Sequence, residues 1–66
     1  MNLRFRYRNH RGEEHIYDVY PTGVTRPDAH WCIEGQCIRR DGVLRPGTPM
    51  RTFRIQDMRD VVTVPA

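Results

Sequence analysis

Sixty-six residues set the scale of one small domain, residues 1–66. A chain this short buries only about 60% of the surface its unfolded form exposes, so a few side chains must build the core. The 38% apolar content contains no run suited to a membrane span or a signal peptide. Eleven basic residues stand against eight acidic ones, for a net charge of +3, and every basic residue is an arginine. Arginine offers a planar fork that grips phosphate and stacks on bases; a GC-rich genome would produce the same bias with no ligand involved.

Leu3 to Tyr7 alternates apolar and basic residues. This predicts a half-buried strand that turns Arg4, Arg6 and Arg8 outward. Asn9-His10-Arg11-Gly12 reads as a hairpin turn with a positive φ at glycine. Glu13 to Tyr20 is the returning strand, its acidic start facing Arg8 or Arg11, and pairing is expected to break at Pro21. After a loop bracketed by Pro21 and Pro27 comes a third strand, Trp31 to Arg39. Trp31, Ile33, Gly35 and Cys37 share its expected core face, with Trp31 the largest core residue, and Gly35 marks a bend or a close backbone approach. Asp41-Gly42 signals a turn and Arg45 to Pro49 a mobile loop. Met50 to Ile55 is the fourth strand, Gln56 to Met58 a single helical turn, and Arg59 to Val64 a last strand closing a barrel. The predicted core is Leu3, Phe5, Tyr7, Ile16, Val19, Trp31, Ile33, Phe53, Ile55, Met58 and the late valines. In an extended segment Cys32 and Cys37 lie about 17 Å apart on opposite faces, out of disulfide reach. Reduced thiols suit the cytoplasm.

The fold class expected is all-β: a small five-stranded SH3-like (Sm-like) barrel with one short helical turn before the last strand. The order of its signals resembles the WYL domain, a barrel of this kind in bacterial transcriptional regulators. Trp31-Cys32-Ile33 falls where that family has its namesake tripeptide, Gly35 to Arg40 resembles its downstream segment, Arg51-Thr52-Phe53-Arg54 its Arg-x-Phe-Arg run, and Pro21 the proline closing its second strand. The resemblance covers roughly Leu3 to Val61. Three positions depart from it: Cys32 stands for tyrosine, Tyr17 lies near an expected basic residue, and Asp57 replaces another. The resemblance implies a ligand-sensing regulatory module that binds nucleic acid or a nucleotide-like anion, with Trp31, Arg40, Arg51 and Arg54 as candidate ligand residues.

The residues themselves add Arg6 and Arg8 to that basic set, with Phe5, Tyr7, Tyr17 and Tyr20 available to stack bases. The plain alternative is a solvated, edge-protecting surface. Trp31 is either core or a stacking platform. His30, Cys32 and Cys37 have no standard zinc spacing, and no nucleophile is accompanied by an orienting base, so no metal, no cofactor and no enzymatic activity is expected. The expected partner is single-stranded DNA or RNA or a nucleotide, with a homodimer possible and no membrane contact. The alternative is a protein-interaction or assembly module using an exposed strand edge.

Overall fold

A computed structural model describes residues 1–66. The chain is all-β, with β1 (Asn2–Arg8), β2 (Glu14–Thr25), β3 (Cys32–Arg40), β4 (Val43–Leu44), β5 (Met50–Arg54), a 3-10 turn (Ile55–Asp57) and β6 (Arg59–Val64). No helix is long and apolar enough to cross a membrane. All pairings are antiparallel. The sheet runs β4-β3-β2-β1-β6, and β5 shares with β4 the side of β3 opposite β2. β5 takes Cys32 to Gln36 and β4 takes Arg39 and Arg40.

Turn chemistry fixes this register. The Asn9 side-chain carbonyl accepts the N–H groups of Arg11 and Glu13, and Gly12 supplies φ 81°. Asp41 and Gly42, both at positive φ, make the two-residue hairpin from β3 to β4. Arg45 to Thr48 is a proline–glycine turn closed by Thr48 N–H on the Arg45 carbonyl. The segment expected to be a mobile loop is therefore tied down: Arg45 N–H donates to Ile38 O, and Cys37 N–H donates to Pro49 O.

The five-stranded closed barrel is corrected on two counts. The hairpin at Asp41-Gly42 adds the two-residue β4, making six strands. The sheet also stays open, because β6 pairs with β1 and no ladder joins it to β5. Side chains bridge the seam instead. Ile55 N–H points to β3, bonding Trp31 O, so the preceding Arg54 N–H points to the free edge, where the Tyr7 hydroxyl accepts it at 3.0 Å. A tyrosine thus satisfies a backbone donor that a closed barrel would have paired.

Pro21 does not end β2. The strand continues to Thr25 through an irregularity between Pro21 and Gly23 that absorbs the missing donor. Gly35 lies opposite Pro21, and a Cβ there would fall 2.5 Å from both Tyr20 O and Val19 Cγ1. The close approach predicted for Gly35 is present. Gly35→Ala is expected to lower stability by about 1–3 kcal/mol, because backbone must shift to admit the methyl group; a urea midpoint equal to wild type would refute this.

The core consists of Phe5, Tyr17, Val19, Cys37 and Phe53, with Leu3, Tyr7 and Met58 packed against it. Phe53 is its hub, with ring centroids 5.0 Å from Phe5 and 5.1 Å from both Tyr7 and Tyr17. Phe5 and Tyr17 are therefore buried packing residues, while Tyr7 packs against them and stays half-buried. Trp31, expected in the core, is 56% exposed. It precedes β3, and the Arg26 guanidinium, 5.4 Å from its centroid, lies over the ring. Ile16, Ile55, Val61 and Val62 are likewise exposed. Both cysteines are free and buried.

Candidate functional site: an arginine-lined groove

The alternating arginines of β1 meet acidic partners from β2. Arg4 grips the buried Asp18 at 2.7 and 3.0 Å. Arg6 lies 3.7 Å from Glu14 and 3.3 Å from Asp60, and Arg8 is 3.9 Å from Glu14. Cross-strand register places these charges opposite one another. The basic outer face predicted from β1 is thus largely compensated. Arg6 in particular is flanked by two carboxylates and stands apart from the arginines described next.

The other eight arginines have no carboxylate within ion-pair distance, and Arg40, Arg45, Arg51 and Arg54 are among them. Three of these four converge on the open end of the core. Burial raises the Tyr17 hydroxyl above its ordinary pKa, and Arg51 and Arg40 oppose that rise. Burial likewise raises the Cys37 thiol, against Arg45, Arg51 and Arg40. Two core side chains thus sense one concentration of positive charge. Register explains the convergence: Arg40 pairs with Tyr17, Arg51 pairs with Gly35, and the turn after β4 brings Arg45 back beside Ile38.

From Arg51 a groove follows the open seam. Its first depression, about 210 Å3, is lined by Arg51, Thr52, Phe53, Tyr17, Tyr7, Asn9 and His10. The next, about 340 Å3, shares Tyr7, Asn9 and His10 and adds Arg8, Arg54 and Asp57. A third, about 370 Å3, continues from Arg8, Asn9 and Asp57 to Glu14 and Arg59. Aromatic side chains floor the first two depressions, and Arg51, Arg54 and Arg8 stand on their rim, an arrangement that attracts anions and offers them charge-assisted hydrogen bonds.

Of the predicted ligand residues, the structure gathers Arg40 and Arg51 around Tyr17 and brings Arg54 and Arg8 into the adjoining groove. Trp31 lines none of these depressions. Arg45, Asn9 and His10 were missed. The sequence placed Arg45 at the start of a loop, and only the fold shows that it returns to Ile38 of β3. No three His, Cys, Asp or Glu side chains converge where a metal ion would sit.

One further contact braces the site. Asp41 accepts Ile16 N–H at 2.8 Å and holds His15 Nδ1 at 2.7 Å, fixing the turn that follows Arg40. The backbone bond first, then His15, keep the Asp41 carboxyl below its ordinary pKa. A depressed pKa means a contribution present above the unfolded carboxylate range and lost as pH falls through the folded value. Asp41→Asn is therefore expected to melt below wild type at neutral pH, the gap closing as pH drops beneath that range. A gap independent of pH would refute the linkage.

The model of the WYL domain family matches residues 1–63. No curated protein and no solved structure matches the chain.

Proposed function

From the chain's membership of the WYL domain family, we propose that this regulatory, ligand-sensing domain recognises a nucleic acid or nucleotide-like anion through the groove running from Arg40 and Arg51 to Arg54 and Arg8. The observation that carries this reading is the set of uncompensated guanidiniums around Tyr17 and Cys37, continuous with an aromatic-floored groove. Arg40, Arg45, Arg51 and Arg54 have no carboxylate partner, while Arg4, Arg6 and Arg8 face acidic ones. Phosphate oxygens match the guanidinium fork, and exposed edges of Tyr7 and His10 are placed to meet a base or sugar between phosphates.

The test is an anisotropy titration with short labelled single-stranded DNA and RNA at low and moderate salt. Saturable binding that weakens steeply with salt is expected; absence of binding at low salt, where attraction is strongest, would overturn the reading. Because Trp31 lies outside the groove, its fluorescence is expected to change little on binding.

A second reading has its own observation. The outer edges of β5 and β6 are unpaired, and β6 exposes Val61 and Val62, which suits a module that adds a strand from a partner. Binding of that kind depends on backbone bonds and apolar contact and weakens little with salt.

A further inference from the structure

We infer that the groove selects short anionic ligands, of about two to three consecutive phosphates, and that Asp57 is the residue setting this limit. The inference rests on the proposed anion-binding role and concerns its specificity. Arg51 and Arg54 are three residues apart in β5, roughly 10 Å along the strand, and line consecutive depressions that share Tyr7, Asn9 and His10. Positive charge therefore stands at both ends of a segment long enough for more than one phosphate, with an aromatic and an imidazole side chain between them. A single phosphate satisfies one end only.

Beyond Arg54 the groove loses its net positive charge. Asp57, in the 3-10 turn, lines both the second and third depressions and makes no ion pair with any basic side chain. Glu14 lines the third as well. An extended polyanion passing Arg54 meets these carboxylates, and like-charge repulsion near a low-dielectric wall opposes each additional phosphate. Arg59, which has no carboxylate partner, and Arg8, already beside Glu14, share that depression, so its two arginines and two carboxylates balance. The net positive charge of the groove thus ends at Asp57. A ligand of matching length gains every favourable contact, and a longer one gains nothing further.

The test is calorimetric titration with 5′-phosphorylated thymidylate oligomers of one, two, three, four and eight residues, against wild type, Asp57→Asn and Asp60→Asn. Asp60 carries the same charge but pairs with Arg6 outside the groove, and its positive φ suits asparagine. For wild type, affinity is expected to climb to about three residues and to vary less than about two-fold beyond, after correction for the number of binding frames. Asp57→Asn is expected to raise the eight-residue affinity about five-fold, to steepen its salt slope by about 0.7 for each phosphate newly contacted, and to leave the two-residue ligand unchanged. Asp60→Asn is expected to match wild type. Continued growth of wild-type affinity from three to eight residues overturns the length limit while leaving anion binding intact. A gain in Asp57→Asn equal at every length, or reproduced by Asp60→Asn, removes Asp57 from the role. Failure of every oligomer to bind wild type overturns the proposed function itself, and the limit with it.

Discussion

Replacing Arg51 and Arg54 together by alanine is expected to reduce affinity for a short single-stranded oligonucleotide by roughly a hundred-fold or more, with the fold intact. Each guanidinium–phosphate bond is charge-assisted, and a hydrogen bond to a charged group contributes about 1.5–3 kcal/mol; two of them correspond to about two decades or more in affinity. The salt dependence gives a second reading of the same loss. Log affinity falls with log salt by about 0.7 for each neutralised phosphate on a single strand, so the double variant's slope is expected to be shallower by about 1.4. The fold should survive because both side chains are exposed and neither has an acidic partner to orphan. The bond from Arg54 to Tyr7 uses the backbone N–H, which alanine keeps. Arg26→Ala is the control, since it removes an exposed arginine that stacks on Trp31 outside the groove. Equal losses in the control and the double variant would mean that only total charge matters, and the groove assignment would fall. Unchanged, salt-insensitive binding in the double variant would favour the strand-edge reading.

Phe53→Ala is expected to leave the domain largely unfolded at room temperature. Truncating a buried phenylalanine costs about 3–5 kcal/mol, and a single core in a chain of this length supplies about the same total. Phe53 also contributes edge and tilted contacts to Phe5, Tyr7 and Tyr17, which add about 0.5–1.5 kcal/mol per pair beyond area burial. Phe53→Leu, which retains most of the volume, should remain folded with a lower urea midpoint. Circular dichroism is the appropriate probe, since the one tryptophan is exposed and reports poorly on core packing. A cooperative, near-wild-type transition in Phe53→Ala would show that the hub of the core lies elsewhere. The two predictions separate because Phe53 is buried whereas Arg51 and Arg54 are exposed. One short strand supplies both the hub of the core and two guanidiniums of the groove.

The strands were legible where alternation and turn chemistry agreed. The β1 alternation, the Asn9–Gly12 turn, Asp41-Gly42 and the last strand all lie where local rules place them, because hairpin register depends on residues close in sequence. The WYL family was legible too, through the order and spacing of the Trp31, Gly35 and Arg51–Arg54 signals. Arg40, Arg51 and Arg54 were identifiable as ligand candidates from that order. Whether a guanidinium is free was not legible: Arg6 and Arg54 look alike in sequence, yet Arg6 lies between Glu14 and Asp60, and only cross-strand register reveals it.

The sequence by itself determined the all-β class, the hairpins and most strand positions, since these follow from side-chain period and from the φ preferences of glycine, asparagine and proline. Tertiary structure decided the rest. It left the seam between β5 and β6 open, with the Tyr7 hydroxyl taking the Arg54 N–H in place of a ladder. It exposed Trp31, and brought Arg40 and Arg51 near Tyr17, and Arg40, Arg45 and Arg51 near Cys37. Burial and charge pairing are sums over neighbours distant in the chain, and no local pattern carries them.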